Sequence, residues 1–204
     1  GFLAASTTDL IQSIVMTIAL FVVVGFGINY AGGWDNVVMN ANSMPGFLEF
    51  FNTYDPSANA STDYSGLTIA STLAWGLGYF GMPHILLRFM AIGDKNKLKT
   101  SRRIATVWVF ISMAIAIFIG VIGSAVVKNG AIALDNANSQ RIIIEIAKLI
   151  SGNGAFFAIL AGVILAGILA ATMSTSDSQL LAAASAVSQN IVKEFFGKTL
   201  SEKA

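Results

Sequence analysis

Cysteine is absent from the 204 residues, which excludes disulfides and thiolate-held metals without fixing a compartment. Histidine occurs once, at His84, so a metal site built on imidazole and thiol is not expected, and a hydrogen-bonded structural role suits His84 better. Charge is scarce as well: 11% of residues are Asp, Glu, Lys or Arg, where soluble domains carry about 25%. With 55% hydrophobic residues and a mean hydropathy of +0.71, too little polar material remains to cover a water-facing surface. Lipid is the expected solvent. A net charge of +1 argues neither for nor against nucleic acid, because placement matters more than the sum. There is no His/Cys cluster, no nucleophile–base pair and no pair of intramembrane carboxylates, so an enzyme is not expected. No repeat of about 20–50 residues and no low-complexity tract is present. The first residue is Gly1, with no basic-then-apolar leader, and the chain reads as a piece of a longer one.

What is present is apolar length. A spanning helix needs about 20 predominantly apolar residues, and four stretches supply them: 10–30, 67–92, 104–127 and 155–192. The fourth is long enough to project beyond a bilayer or to bend. Between the second and third, the loop 93–103 carries Lys95, Lys97, Lys99, Arg102 and Arg103, and the tail 193–204 adds Lys193, Lys198 and Lys203. The loop 31–66 has no Lys or Arg and holds Asp35, Glu49, Asp55 and Asp63. The positive-inside rule therefore puts 93–103 and the tail in the cytoplasm, with 31–66 and 128–154 outside. An even number of crossings returns the N-terminal end to the cytoplasm. The loop 31–66 is rich in Asn, Ser, Gly and aromatics and reads as an ordered surface loop. In 139–150, Ile142, Ile143, Ile146, Leu149 and Ile150 recur at helical spacing opposite Arg141, Glu145 and Lys148, which predicts a short helix resting at the interface.

Inside the second stretch stands Trp75-Gly-Leu-Gly-Tyr-Phe-Gly-Met-Pro-His84. Gly76, Gly78 and Gly81 make a literal G-x-G-x-x-G. A dinucleotide fingerprint needs a preceding strand, a following helix and an acidic residue about 20 positions on. The flanks here are apolar and of spanning length, and the basic loop follows, so the glycines are not read as a phosphate cradle. No nucleic-acid partner is expected either. In a membrane helix, three glycines and Pro83 weaken the hydrogen-bond ladder and predict a break. Such discontinuous helices build midplane sites in secondary transporters. Trp75 and Tyr79, four apart, share a face and offer an apolar wall with polar handles. Close helix packing with an interfacial aromatic belt fits the same spacing.

The fourth stretch carries Ala171-Thr-Met-Ser-Thr-Ser-Asp-Ser-Gln179 after a long apolar run. Ser174 and Thr175 lie three and four residues after Ala171, so their hydroxyls fall near its carbonyl. A neutral oxygen cluster of this kind suits a hard cation such as Na⁺. Hydroxyls bonding back to their own helix is the other reading. Five hydroxyls and Asp177, before Gln179 is counted, in a nine-residue window favour a wet site. Asp9 and Asp177 are the acids nearest membrane depth, where a carboxylate is by default functional. A place at the cytoplasmic rim, or for Asp9 the start of a helix, would cost them little.

These motifs resemble the sodium:solute symporter family. Gly1-Phe-Leu-Ala-Ala5 with Thr8-Asp-Leu-Ile-Gln12 is similar to the family's fifth core helix. The stretch from Trp75 to His84, followed by Arg88-Phe-Met-Ala91, is similar to the sixth. Arg102-Arg-Ile104 opens the seventh, and Leu169-Ala-Ala-Thr-Met-Ser-Thr-Ser-Asp-Ser-Gln-Leu-Leu181 resembles the eighth. The resemblance implies an all-α integral membrane protein, a fragment with four transmembrane helices of a five-plus-five inverted-repeat transporter, holding core helices five to eight. It implies Na⁺-coupled symport by alternating access in a bacterial-type plasma membrane, with proline as the first candidate solute. Pantothenate, a sugar, a carboxylate or a sensor role in a signalling protein are the alternatives. Na⁺ would be held by the Ala171 carbonyl and the Ser174 and Thr175 hydroxyls. The solute would meet Trp75, Tyr79 and the region of Pro83, and Asp9 would lie on the sodium exit route. No organic cofactor is implied. Met82 is a departure, since the family's proline carriers have Gln there.

Overall fold

The computed structural model describes residues 2–79 and 81–197. Gly1 and Phe80 of the motifs above, and the part of the tail from Lys198 that includes Lys203, lie outside the described residues. The chain runs α1 (Phe2–Tyr30), α2 (Trp34–Ser43), β1 (Asn52–Asp55), β2 (Ala60–Asp63), α3 (Gly66–Tyr79), α4 (Pro83–Met90), a 3-10 turn (Lys95–Lys97) and α5 (Leu98–Lys128). A second 3-10 turn (Asn136–Arg141), α6 (Ile142–Ser151), α7 (Ala155–Ala186) and π-helical turns (Val187–Phe195) complete it.

Hydrocarbon offers the backbone no partners, so long apolar segments satisfy their N–H and C=O groups internally as helices. Among the described residues, three continuous helices are long and apolar enough to cross a membrane: Leu3–Tyr30, Lys95–Lys128 and Ala155–Phe195. The expected second crossing, 67–92, is not one helix. It divides into α3, of 14 residues, and α4, of 8, each shorter than the ~20 residues a bilayer requires. The first and third stretches begin earlier than their apolar cores, because helix continues through polar residues wherever nothing stops it.

The division has an identifiable cause. Pro83 is the first residue of α4, where its missing N–H costs nothing, and it forces Met82 into extended backbone (φ −79°, ψ 116°). Gly81 donates to the Gly78 carbonyl at 3.1 Å and Met82 to that of Tyr79 at 3.3 Å, tightening the end of α3. Gly81 therefore lies between the two half-helices. Gly76 and Gly78 do not: both remain helical within α3. A lone helical glycine costs only about 1 kcal/mol, which the rest of the ladder absorbs, whereas proline ends it.

The packed core lies at one end of the bundle, where α1, α5, α6 and α7 converge. Val23, Ile122, Val126, Ile146, Ile150 and Ile164 are completely buried there. Lipid tails are as apolar as leucine, so this packing rests on close fit more than on the hydrophobic effect. Small residues set the fit: a Cβ added at Gly167 of α7 would lie 2.9 Å from the Ala19 Cβ of α1. The apolar side of α6 is covered by helices and does not rest on lipid: Ile146, Ala147 and Ile150 are buried against α1, α5 and α7. Arg141 and Lys148 pair with Glu145 on its other side at 3.4 and 3.8 Å. Polar clamps close this end. The Tyr30 hydroxyl donates to the Leu149 carbonyl (3.2 Å) and accepts from Asn153 (2.6 Å), while buried Asn40 donates to Ser124 at 3.0 Å.

The loop 31–66 is ordered, as expected, but it departs from an all-α reading through an antiparallel hairpin pairing Asn52 with Asp63 and Asp55 with Ala60. The turn is closed by Asp55, whose carboxylate accepts from the Ser57 hydroxyl at 2.6 Å and the Ser57 N–H at 2.8 Å. These bonds, the hydroxyl first, hold the Asp55 carboxyl below its ordinary 3.8. The ionised form is thus favoured by the folded turn, whose stabilisation is present above pH ~4 and lost as pH falls through the lowered folded value. Ser57→Ala is expected to raise the Asp55 titration toward its ordinary midpoint, read by carboxyl NMR shifts; an unmoved midpoint would remove Ser57 from the turn's electrostatics.

Candidate functional site

The half-helix that begins at Pro83 packs against α7, and this contact brings Arg88 to the far end of the α1–α7 pair. There the Arg88 guanidinium donates through Nη2 to Asp9 Oδ2 and to Ser178 Oγ, each at 2.5 Å. The other carboxylate oxygen, Oδ1, accepts from the Ser174 hydroxyl at 2.7 Å. Three helices therefore meet at one carboxylate. Asp9 is not at the start of a helix, since α1 begins at Phe2 and runs past it. Its side chain is 15% exposed, against 47% for Arg88. A partly buried carboxylate gains from this pairing, because an unmatched charge drawn out of water is costly.

The hydroxyl cluster divides its bonds. Thr172, Thr175, Ser176 and Ser178 bond back to the carbonyls of Ile168, Ala171, Thr172 and Ser174 respectively. Of these hydroxyls Ser174 alone donates to another helix, while Ser178 also accepts from Arg88 of α4. The Thr175 bond to the Ala171 carbonyl is long, at 3.4 Å, which places those two oxygens together as the spacing predicts. Two oxygen pairs thus lie on α7, Ser174 Oγ with the Asp9 carboxylate and Thr175 Oγ1 with the Ala171 carbonyl; a donating hydroxyl keeps lone pairs free, and oxygens of this kind are the ligand chemistry of a hard cation. Asp177 is exposed and outside it.

Trp75 and Tyr79 share α3 as expected, 74% and 53% exposed. Among the described residues α3 makes no extensive contact with another helix, so the structure does not bring this aromatic pair to the oxygens of α7. Pro83 joins the two regions along the chain, as the residue that ends one half-helix and starts the next.

Sequence reasoning missed Arg88 and Ser178 as partners of Asp9. The signal was available: Arg88 is the first basic residue in the chain and falls within an apolar stretch, where an intramembrane cation needs a counter-charge. Gln12, one turn from Asp9, was missed as well; its Oε1 is buried with no protein partner. A cavity of about 930 Å³ sits at the opposite end of the bundle, lined by Asn40, Ser43, Tyr54, Ser124, Lys128 and Asp135 among others. It contains none of the expected site residues.

Over its whole length the chain is similar to bacterial proline transporters. It is 36% identical over 204 residues to the osmoregulated proline transporter OpuE of Bacillus subtilis (strain 168) and 36% identical over 212 residues to the sodium/proline symporter of Salmonella typhimurium (strain LT2). It is 34% identical over 216 residues to the sodium/proline symporter of Escherichia coli (strain K12). Each alignment covers 100% of this chain and 38% of the relative, so the chain spans well under half the length of the transporters it matches. No solved structure matches. Residues 1–204 match the sodium:solute symporter family. Three apolar helices of spanning length make it an integral membrane protein, and the chain belongs to the sodium:solute symporter family.

Proposed function

We propose that this chain is part of a Na⁺-coupled symporter whose solute is L-proline and which works by alternating access. The observation that carries the reading is the oxygen group on α7, completed across the helix interface by Asp9. Ala171, Ser174 and Thr175 hold Na⁺, and Asp9 receives it on the way out. Trp75, Tyr79 and the backbone freed at Pro83 face the solute, with Na⁺ as the only coupling ion and no organic cofactor or covalent step. Proline as the solute is supported by the names of the similar transporters. Two further elements belong to the same reading. The crossing 67–92 is a broken one, supplying the fourth crossing of a five-plus-five inverted repeat, and the loop 93–103 and both ends face the cytoplasm.

The test is proline uptake by the full-length protein in proteoliposomes under an inward Na⁺ gradient, with pantothenate, a sugar and a carboxylate as competitors. Uptake should depend on Na⁺ and be competed by proline alone. Thr175→Ala removes one oxygen from a charged ligand, an interaction of about 1.5–3 kcal/mol. The Na⁺ concentration for half-maximal uptake should rise about tenfold or more, with proline affinity at saturating Na⁺ changing far less. A variant with unaltered sodium dependence would take Thr175 out of the site.

A further inference from the structure

Among the described residues, Arg88–Asp9 is the one ion pair that joins two separate helices. Its geometry is asymmetric. The guanidinium holds Oδ2 of the carboxylate, and Ser174, a hydroxyl of the oxygen group, holds Oδ1. Ser178, 9% exposed, gives the guanidinium a second anchor on α7. Beside the pair lies a cavity of about 240 Å³ lined by Ser6, Asp9, Arg88, Ala91 and Ile92. On the side of His84, Leu87 and Leu181, the space is almost filled, at about 10 Å³. A cation moving from Ser174 into the open cavity therefore meets Asp9 with Arg88 already on it.

We propose that Arg88 is a resident competitor of the coupling ion. A bare carboxylate beside two hydroxyls would trap a hard cation. Arg88 shares that carboxylate, weakens its hold on arriving Na⁺ and returns the ion to water. Arg88 acts through Asp9 and is a positioning residue. The inference rests on the symporter reading of the oxygen group.

The experiment uses the full-length protein in proteoliposomes loaded with graded internal Na⁺, at saturating external Na⁺ and a clamped membrane potential. Internal Na⁺ inhibits uptake by occupying the release route. Arg88→Gln should lower the half-inhibitory internal Na⁺ about tenfold, within the usual range of coupling between sites. The external half-saturating Na⁺ should stay unchanged. Arg88→Lys keeps the charge and should stay within about twofold of the unaltered protein. A merely structural role would not produce a one-sided shift that lysine rescues. If glutamine leaves internal inhibition unaltered, or if lysine behaves like glutamine, the proposal is overturned. Should Arg88→Gln fail to accumulate, Ser178→Ala loosens the same guanidinium while keeping its charge. That variant should show a smaller fall in the same direction, and no fall overturns the proposal. A normal Thr175→Ala response beside an inert Arg88→Gln defeats this inference alone. Absence of Na⁺-stimulated uptake in the unaltered protein defeats the symporter reading with it.

Discussion

If the chain is part of a Na⁺ symporter as proposed, Asp9→Asn in the full-length protein is expected to raise the Na⁺ required for half-maximal uptake by at least about tenfold while leaving the protein folded. The amide has nearly the carboxylate's shape. Its oxygen can still accept from Arg88, and the Ser174 hydroxyl can rotate to accept from the new NH₂ group, so each bond now made at 2.5 and 2.7 Å has a replacement. What disappears is the charge. Arg88 then stands without its counter-ion next to Ser174, and a lone guanidinium repels the ion that the remaining oxygens would bind. The effect should exceed that of losing one neutral ligand. Neutralising both partners, Asp9→Asn with Arg88→Gln, should recover part of the loss, giving a non-additive cycle. Sodium dependence equal to that of the unaltered protein would place the carboxylate off the ion's path. Thermal scanning in detergent provides the check on folding.

Gly167→Val should be the most damaging substitution on α7 for stability. The added Cβ alone would sit 2.9 Å from the Ala19 Cβ, 3.6 Å from the Met16 Cα and 3.7 Å from the Val15 carbonyl oxygen. These atoms belong to, or attach directly to, the α1 backbone, so no flexible side chain can swing away. Valine adds two methyl groups, and the helices must separate or tilt. Overpacking of this kind costs about 1–3 kcal/mol, occasionally more. Gly162, on the same helix, has nothing within 4 Å of its added Cβ. Gly162→Val therefore serves as a control for helix propensity and side-chain volume, and the gap in melting temperature between the two variants isolates the α1–α7 contact. Equal melting temperatures would show that the contact carries no stability. Because the same interface brings Asp9 to Ser174, Gly167→Val should also weaken sodium coupling.

The long crossings were legible because apolar length is a local property, and so was the need for a break near Pro83. Its position among the glycines was not. Gly76 and Gly78 look like breakers by composition, yet each costs little in a ladder whose other bonds persist, and only proline forces its predecessor out of helix. The hairpin was illegible for a different reason. Its strands are four residues each, mostly polar, and held by a turn whose key bonds run from Ser57 to Asp55. Nothing in the period of hydrophobicity marks such a pair. The oxygen cluster on α7 could be read from i, i+3 and i, i+4 spacing, but its completion could not. Asp9 and Ser174 are 165 positions apart and Asp9 and Arg88 are 79 apart; only the packing of α1 and α4 on α7 makes them neighbours.

The one-ended core has a mechanical consequence. At the α6 end the helices are interlocked by isoleucines and by the Tyr30–Asn153 clamp, whereas beyond Ala170 the one buried residue of α7 is Ser178. Ile164, fully buried at the interlocked end, serves as a fixed point of reference. Ser178 lies 14 residues beyond that point, roughly 21 Å of helix, so a tilt of about 15° would carry it roughly 5 Å sideways. That is more than the length of any hydrogen bond at Asp9. A tilt of that size would part the bonds that now meet at Asp9.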